Sequence, residues 1–135
     1  MAQWKQLTEF VVRLPHRTGE LARLSAQLRA ASVETIAFFG PSEGKAADGF
    51  HLIPGDSEKF RAFASETGLE TWEEPCFHLT AKHRGGDLVA TLDSIAQEGI
   101  NIQFVNACEA NGQFGILIWV DDNDVDRLAK LLSLH

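Results

Sequence analysis

Apolar positions alternate with polar ones over residues 7–14 and put Phe10, Val12 and Leu14 on one face. A period of two is the mark of a half-buried strand. Gly19 then breaks the direction of the chain, and Leu21, Leu24 and Leu28 follow at spacings of three and four, which predicts an amphipathic helix over 20–31. Thr35 to Phe39 is β-branched and aromatic and reads as a strand. The turn-rich stretch from Gly40 to Asp48 is a loop, and Phe50, Leu52 and Ile53 form a third strand stopped by Pro54-Gly55. Asp56 is placed to cap a helix that displays Phe60, Phe63 and Ala64 and ends at Gly68. Leu69 to Glu73 is a short fourth strand.

The same series then recurs. Phe10, His16, Arg17, Gly19, Glu20 and Leu21 are matched in register by Phe77, His83, Arg84, Gly86, Asp87 and Leu88, about 67 positions on. The stretch from Asp56 to Ser65 likewise aligns with that from Asp124 to Ser133. The second copy predicts a strand at 76–82, a helix at 87–98, strands at 101–108 and 113–120, and a helix at 123–133, with Asn111-Gly112 as a hairpin turn. A repeat of this kind is one supersecondary unit used twice. The order βαββαβ is the ferredoxin-like split βαβ. The expected fold is therefore α+β, with two tandem ferredoxin-like units over 1–74 and 75–135 joined near Glu74-Pro75. The chain stops at His135, where the second unit should begin its last strand, so that unit is expected to lack it. Halves of this size are marginal alone and should lean on a partner, and an unfilled sheet edge is a candidate contact for another chain.

Charge narrows the function. The net charge is -7, and no Lys/Arg cluster exceeds a pair, so a nucleic-acid partner is not expected. No apolar run approaches the ~20 residues of a membrane span, and no apolar stretch of signal-peptide type opens the chain. Cys76 and Cys108 lack metal or redox spacing and read as reduced, largely buried thiols of a cytoplasmic protein. Among His16, His51, His78, His83 and His135 no pair has the helical or Cys-linked spacing of a zinc site, so no metal or cofactor is expected. Trp72 and Trp119 fall in predicted strands and read as core or interface. Asp121 to Asp124 lacks the Gly and distal Glu of a calcium loop and reads as helix caps. No catalytic motif emerges, and the chain is not expected to be an enzyme.

The chemistry that remains is at the strand-to-helix corners. A helix N-terminus exposes free N–H groups and a partial positive charge, which suits a carboxylate, and a glycine admits a ligand close to the backbone. His16, Arg17, Thr18, Gly19, Glu20 and Leu21 form one corner; His83, Arg84, Gly85, Gly86, Asp87 and Leu88 form the other. The same residues also read as a tight turn with surface His and Arg. Asn101 and Asn106, in the run beginning Gly99-Ile100-Asn101-Ile102, carry amides able to bind an ammonium or a carboxylate.

These corners, each followed by a Leu-spaced or similar helix, together with Glu98-Gly99-Ile100-Asn101-Ile102, resemble the ACT domain family over nearly the whole chain, twice. The layout is similar to free-standing tandem-ACT amino-acid-binding proteins. The resemblance implies side-by-side antiparallel sheets and an amino acid held between one domain's Gly corner and its neighbour's second strand. Carried over, it points to Arg17, Thr18, Gly19, Glu20 and Leu21, to Arg84, Gly85, Gly86, Asp87 and Leu88, and to Asn101, Ile102 and Asn106. The family often has Pro before the Gly, where Thr18 and Gly85 stand here. The first copy has Glu34 where the second has Asn101, so the two sites are not equivalent. The leading expectation is an allosteric sensor, a homodimer that binds an amino acid. The alternatives are a regulatory subunit of an amino-acid biosynthetic enzyme and a small enzyme on a ferredoxin-like fold.

Overall fold

The structure, a computed structural model, describes residues 3–15, 17–40, 49–82 and 86–134. The elements run β1 (Gln3–Arg13), α1 (Glu20–Ala30), β2 (Thr35–Phe39), β3 (Gly49–Pro54), α2 (Ser57–Thr67), β4 (Thr71–Ala81), α3 (Gly86–Gln97), β5 (Ile102–Ala110), β6 (Gln113–Val120) and α4 (Val125–Ser133). The two predicted strands on either side of Glu74-Pro75 are one strand, β4. Proline's fixed φ suits extended backbone, so the joint does not interrupt it. Contacts divide the chain into two compact units: an N-terminal unit, Thr8–Glu74, and a C-terminal unit that combines the opening segment through Leu7 with the chain from Pro75 on.

In the N-terminal unit the strand order is β2-β3-β1-β4. β3 pairs antiparallel with both β1 and β2, with Phe10 opposite Leu52 and Phe38 opposite Leu52 on its other side. The alternation read from the sequence places Phe10, Val12 and Leu52 on the helix-covered face, where Leu24 and Leu28 of α1 and Phe60, Phe63 and Ala64 of α2 meet them. Burial of one such side chain contributes roughly 1.5–3 kcal/mol, so these positions carry the unit. Leu21, the first residue of the predicted stripe, is 41% exposed and lies outside this core. Asp56 caps α2 by accepting a bond from the Lys59 N–H at 3.2 Å, and Gly68 ends it at φ 69 with Leu69 N–H bonded to Ala64 C=O. Arg61 of α2 lies over the Phe10 ring and forks onto Glu73 through bonds of 2.7 and 3.0 Å. That pairing holds the Glu73 carboxyl below its ordinary range.

The C-terminal unit has the order β1-β4-β6-β5, with β6 antiparallel to β4 and β5. Its core gathers Phe77, Leu79, Ile116, Ile118 and Val120 from the sheet and Ile95, Leu128, Leu131 and Leu132 from α3 and α4. No strand follows α4 among the described residues. The place beside β4 that a closing strand would take is held by the beginning of β1, and Trp4 packs on this core with its ring 6.1 Å from that of Phe77. The expected edge vacancy is therefore filled by the opening residues of the chain. The hairpin between β5 and β6 turns through Asn111 at φ 53 and Gly112 at φ 78, the two left-handed positions a type I′ turn demands. Asp121 caps the turn into α4 by accepting the Asn123 N–H at 2.9 Å.

Two expectations, on Cys108 and on the start of the last helix, need correcting. Cys76 is buried but Cys108 is exposed, because β5 is the edge strand of its unit. Trp119 is buried, but Trp72 is 46% exposed, with the Arg13 guanidinium 5.4 Å from its ring centroid. The C-terminal helix pattern is sound, yet it begins with a short 3-10 turn at Asp122–Asp124 before α4 proper.

Candidate functional site

The first glycine corner is an open helix start. Gly19 is the N-cap of α1 in the left-handed region, φ 90, and no side chain caps the first turn. A Cβ on Gly19 would meet nothing within 4 Å. Around it, Arg17 N–H donates to Pro15 C=O, Glu20 N–H to Arg17 C=O, and the Arg17 guanidinium to the Glu20 carboxylate at 2.9 Å. Arg17, Thr18 and Gly19 are exposed and Glu20 is half-buried. His16 lies outside the described residues.

The second corner is built differently. Gly86 is the first residue of α3 and not a left-handed cap, although it too has open space where a Cβ would project. Asp87 sits in the first turn and Leu88 packs against the C-terminal core. His83, Arg84 and Gly85 lie outside the described residues. Asn101 is exposed just before β5, and Ile102 packs against the core opposite Val120. Asn106 is half-buried in mid-strand opposite Leu117. In this unit the corner and Asn101 are at opposite ends of the 12-residue α3, roughly 18 Å apart along its axis. The corner around Gly19 belongs to the N-terminal unit and the three β5 residues to the C-terminal one.

Two further features were not expected. A groove of about 610 Å³ runs along the far end of α1 and onto β2, lined among others by Leu28, Arg29, Ser32, Glu34, Ile36 and Phe38. The turn that forms it has Ser32 at φ 58, with Ser32 N–H bonded to Arg29 C=O and Val33 N–H to Leu28 C=O. Its one legible sign in the sequence was Glu34, which stands where the second copy has Asn101. The other feature is a polar contact in the N-terminal unit, His51 Nδ1 with Glu9 Oε1; Glu9 is 2% exposed, and Phe39 stacks on His51 at 4.9 Å and 4°. The Glu9–His51 pairing is set by the β1–β3 register, which no local pattern announces.

Searches of family models and of curated proteins give no match. Solved structures do. A protein of Bacteroides thetaiotaomicron superposes with a TM-score of 0.78 at 15% identity, over 96% of this chain and 88% of that one. The regulatory subunit of aspartate kinase from Thermus thermophilus, in a ligand-free form, superposes at 0.62 and 10% identity, over 98% of this chain and 95% of its own. Escherichia coli aspartokinase III, solved with lysine and aspartate in its T-state, superposes at 0.55 and 13% identity; this chain spans 31% of it. The chain has the ACT-type fold of these regulatory domains.

Within that fold the remaining polar groups carry less. His78 on β4 is half-buried, and burial, reinforced by the positive charge of Lys5, pushes its imidazole below the ordinary histidine range. Among the described residues no three His, Cys, Asp or Glu side chains are grouped to hold a metal ion. No helix among them is long and apolar enough to cross a membrane.

Proposed function

We propose that this chain is a regulatory protein that binds a free amino acid, with the ligand's carboxylate at the Gly19 corner. The observation that carries the reading is the uncapped start of α1: a left-handed glycine with open space where a Cβ would project and no side-chain cap on the first turn. Backbone N–H groups and the helix dipole favour an anion there, and a ligand carboxylate would compete with Glu20 for the Arg17 guanidinium. The second corner, Gly86, Asp87 and Leu88 with Arg84 and Gly85, and the β5 residues Asn101, Ile102 and Asn106 belong to the same proposal as further ligand-binding residues. The protein acts in the cytoplasm as a homodimer and performs no catalysis of its own. Ligand binding biases its assembly through differential affinity.

A second reading is supported by coverage. Three of the similar structures are regulatory subunits or a regulatory domain of aspartate kinase, of which this chain spans 95%. A free-standing regulatory subunit of an amino-acid biosynthetic enzyme fits that span and uses the same ligand. Thermal unfolding in the presence of each of the twenty amino acids tests the shared claim. One or a few should raise Tm, by about 2.7 kcal/mol of added stability at a ligand concentration of 100 Kd. No shift with any of them refutes it. Co-purification of a biosynthetic enzyme with the tagged chain separates the second reading from the first.

A further inference from the structure

We infer that the groove between α1 and β2 of the N-terminal unit is a recognition site in its own right, for a zwitterionic α-amino acid with an apolar side chain. Arg29 takes the carboxylate and Glu34 the ammonium group. The inference rests on the reading of the chain as an amino-acid binder, and it adds a site at the end of α1 opposite the Gly19 corner.

Three observations carry it. First, Arg29 and Glu34 line one cavity with opposite charges, and among the described residues neither side chain is seen in a hydrogen bond or ion pair. Ion pairing elsewhere in this unit is common: Arg17 is held by Glu20, and Arg61 by Glu58 and Glu73. Second, the cavity lies at the carbonyl end of α1, where the dipole is negative. That field adds to Glu34 in favouring an ammonium group. Third, the ladder between β2 and β3 shifts register between Thr35 and Ala37, which lifts Ile36 out of the pairing and leaves it 44% exposed at the groove. Beside the half-buried Phe38 and the buried Leu28, Ile36 supplies the exposed apolar surface of the groove. A volume of about 610 Å³ is within the usual range of small-ligand sites. Only a free amino acid presents both charges on one carbon, so a peptide terminus satisfies half of the site.

The test is calorimetric titration of the full chain with L-valine, L-leucine, L-isoleucine and L-phenylalanine, and with L-leucinamide and N-acetyl-L-leucine. At least one of the four amino acids binds the wild-type chain. L-leucinamide and N-acetyl-L-leucine bind at least about tenfold more weakly than L-leucine, a difference of about 1.4 kcal/mol. Arg29→Gln removes the preference for the acid over the amide, and Glu34→Gln removes the preference for the free amine over the acetylated one. A merely structural role for Arg29, as a partner of the helix dipole, would shift Tm and leave those preferences intact. If both variants keep the affinity within about twofold while Gly19→Val abolishes it, the ligand sits at the corner: the groove assignment falls and the proposed function stands. If none of the twenty amino acids binds, both fall.

Discussion

Gly19 and Gly86 are equivalent in the sequence repeat and opposite in conformation, which makes a paired substitution informative. Alanine at either position meets nothing within 4 Å, so no steric cost enters. At Gly19, φ 90 forces the new side chain into the left-handed region, which costs about 1–2 kcal/mol. Against that, losing a glycine from the unfolded chain contributes about 0.4–1 kcal/mol of stability. Gly19→Ala should therefore destabilise by about 0.5–1 kcal/mol net. Gly86 opens α3 with no positive φ, so Gly86→Ala keeps only the favourable part and should stabilise by about 0.4–1 kcal/mol. Asn tolerates the left-handed region better than Ala, so Gly19→Asn should lie between Gly19→Ala and wild type. Urea unfolding followed by far-UV circular dichroism measures all three, provided the m value is unchanged. If Gly19→Ala and Gly86→Ala move the midpoint in the same direction, the two corners have the same geometry and the distinction drawn between them is wrong.

Further measurements probe other parts of the molecule. Phe60 is fully buried with its ring centroid 4.5 Å from Phe10 and 5.9 Å from Phe63, so Phe60→Ala should cost about 3–5 kcal/mol in chemical denaturation, and a loss below about 1.5 kcal/mol would contradict its place in the core. The folded-state pKa of His78 is lowered, so its contribution to stability is complete above the unfolded value of about 6.5 and declines as pH falls below it, because the unfolded chain then takes up a proton the folded chain resists. Denaturation at pH 7.5 and 5.5 should show that loss in the wild type and a smaller one in His78→Gln; equal losses would rule His78 out as a source. A thiol reagent should label Cys108 quickly and Cys76 only on unfolding, and two fast thiols would refute the burial of Cys76.

Much of the architecture was legible along the chain. The alternation of Phe10, Val12 and Leu14, the spacing of Leu24 and Leu28, the Asp56 cap, the Gly68 stop and the Asn111-Gly112 turn all appear where their local chemistry puts them. The glycine corners were legible as a repeated motif, but their difference was not, since φ at a glycine leaves no trace in residue identity. Nor did the motif announce the groove: Arg29 and Glu34 look like ordinary surface charges on a helix end and a loop, and only the turn at Ser32 between them brings both to one cavity.

Periodicity and capping are properties of neighbouring residues, so the residue order alone fixed the elements, their sequence and the duplication of βαββαβ. Which segment closes each sheet is a question of partners far apart in the chain. The beginning of β1 completes the C-terminal unit beside β4, and β3 sets His51 against Glu9, because burial of Trp4 and the pairing of strands across dozens of residues decide the matter. Such contacts depend on the closure of long loops and on register, and only folding in three dimensions determines either.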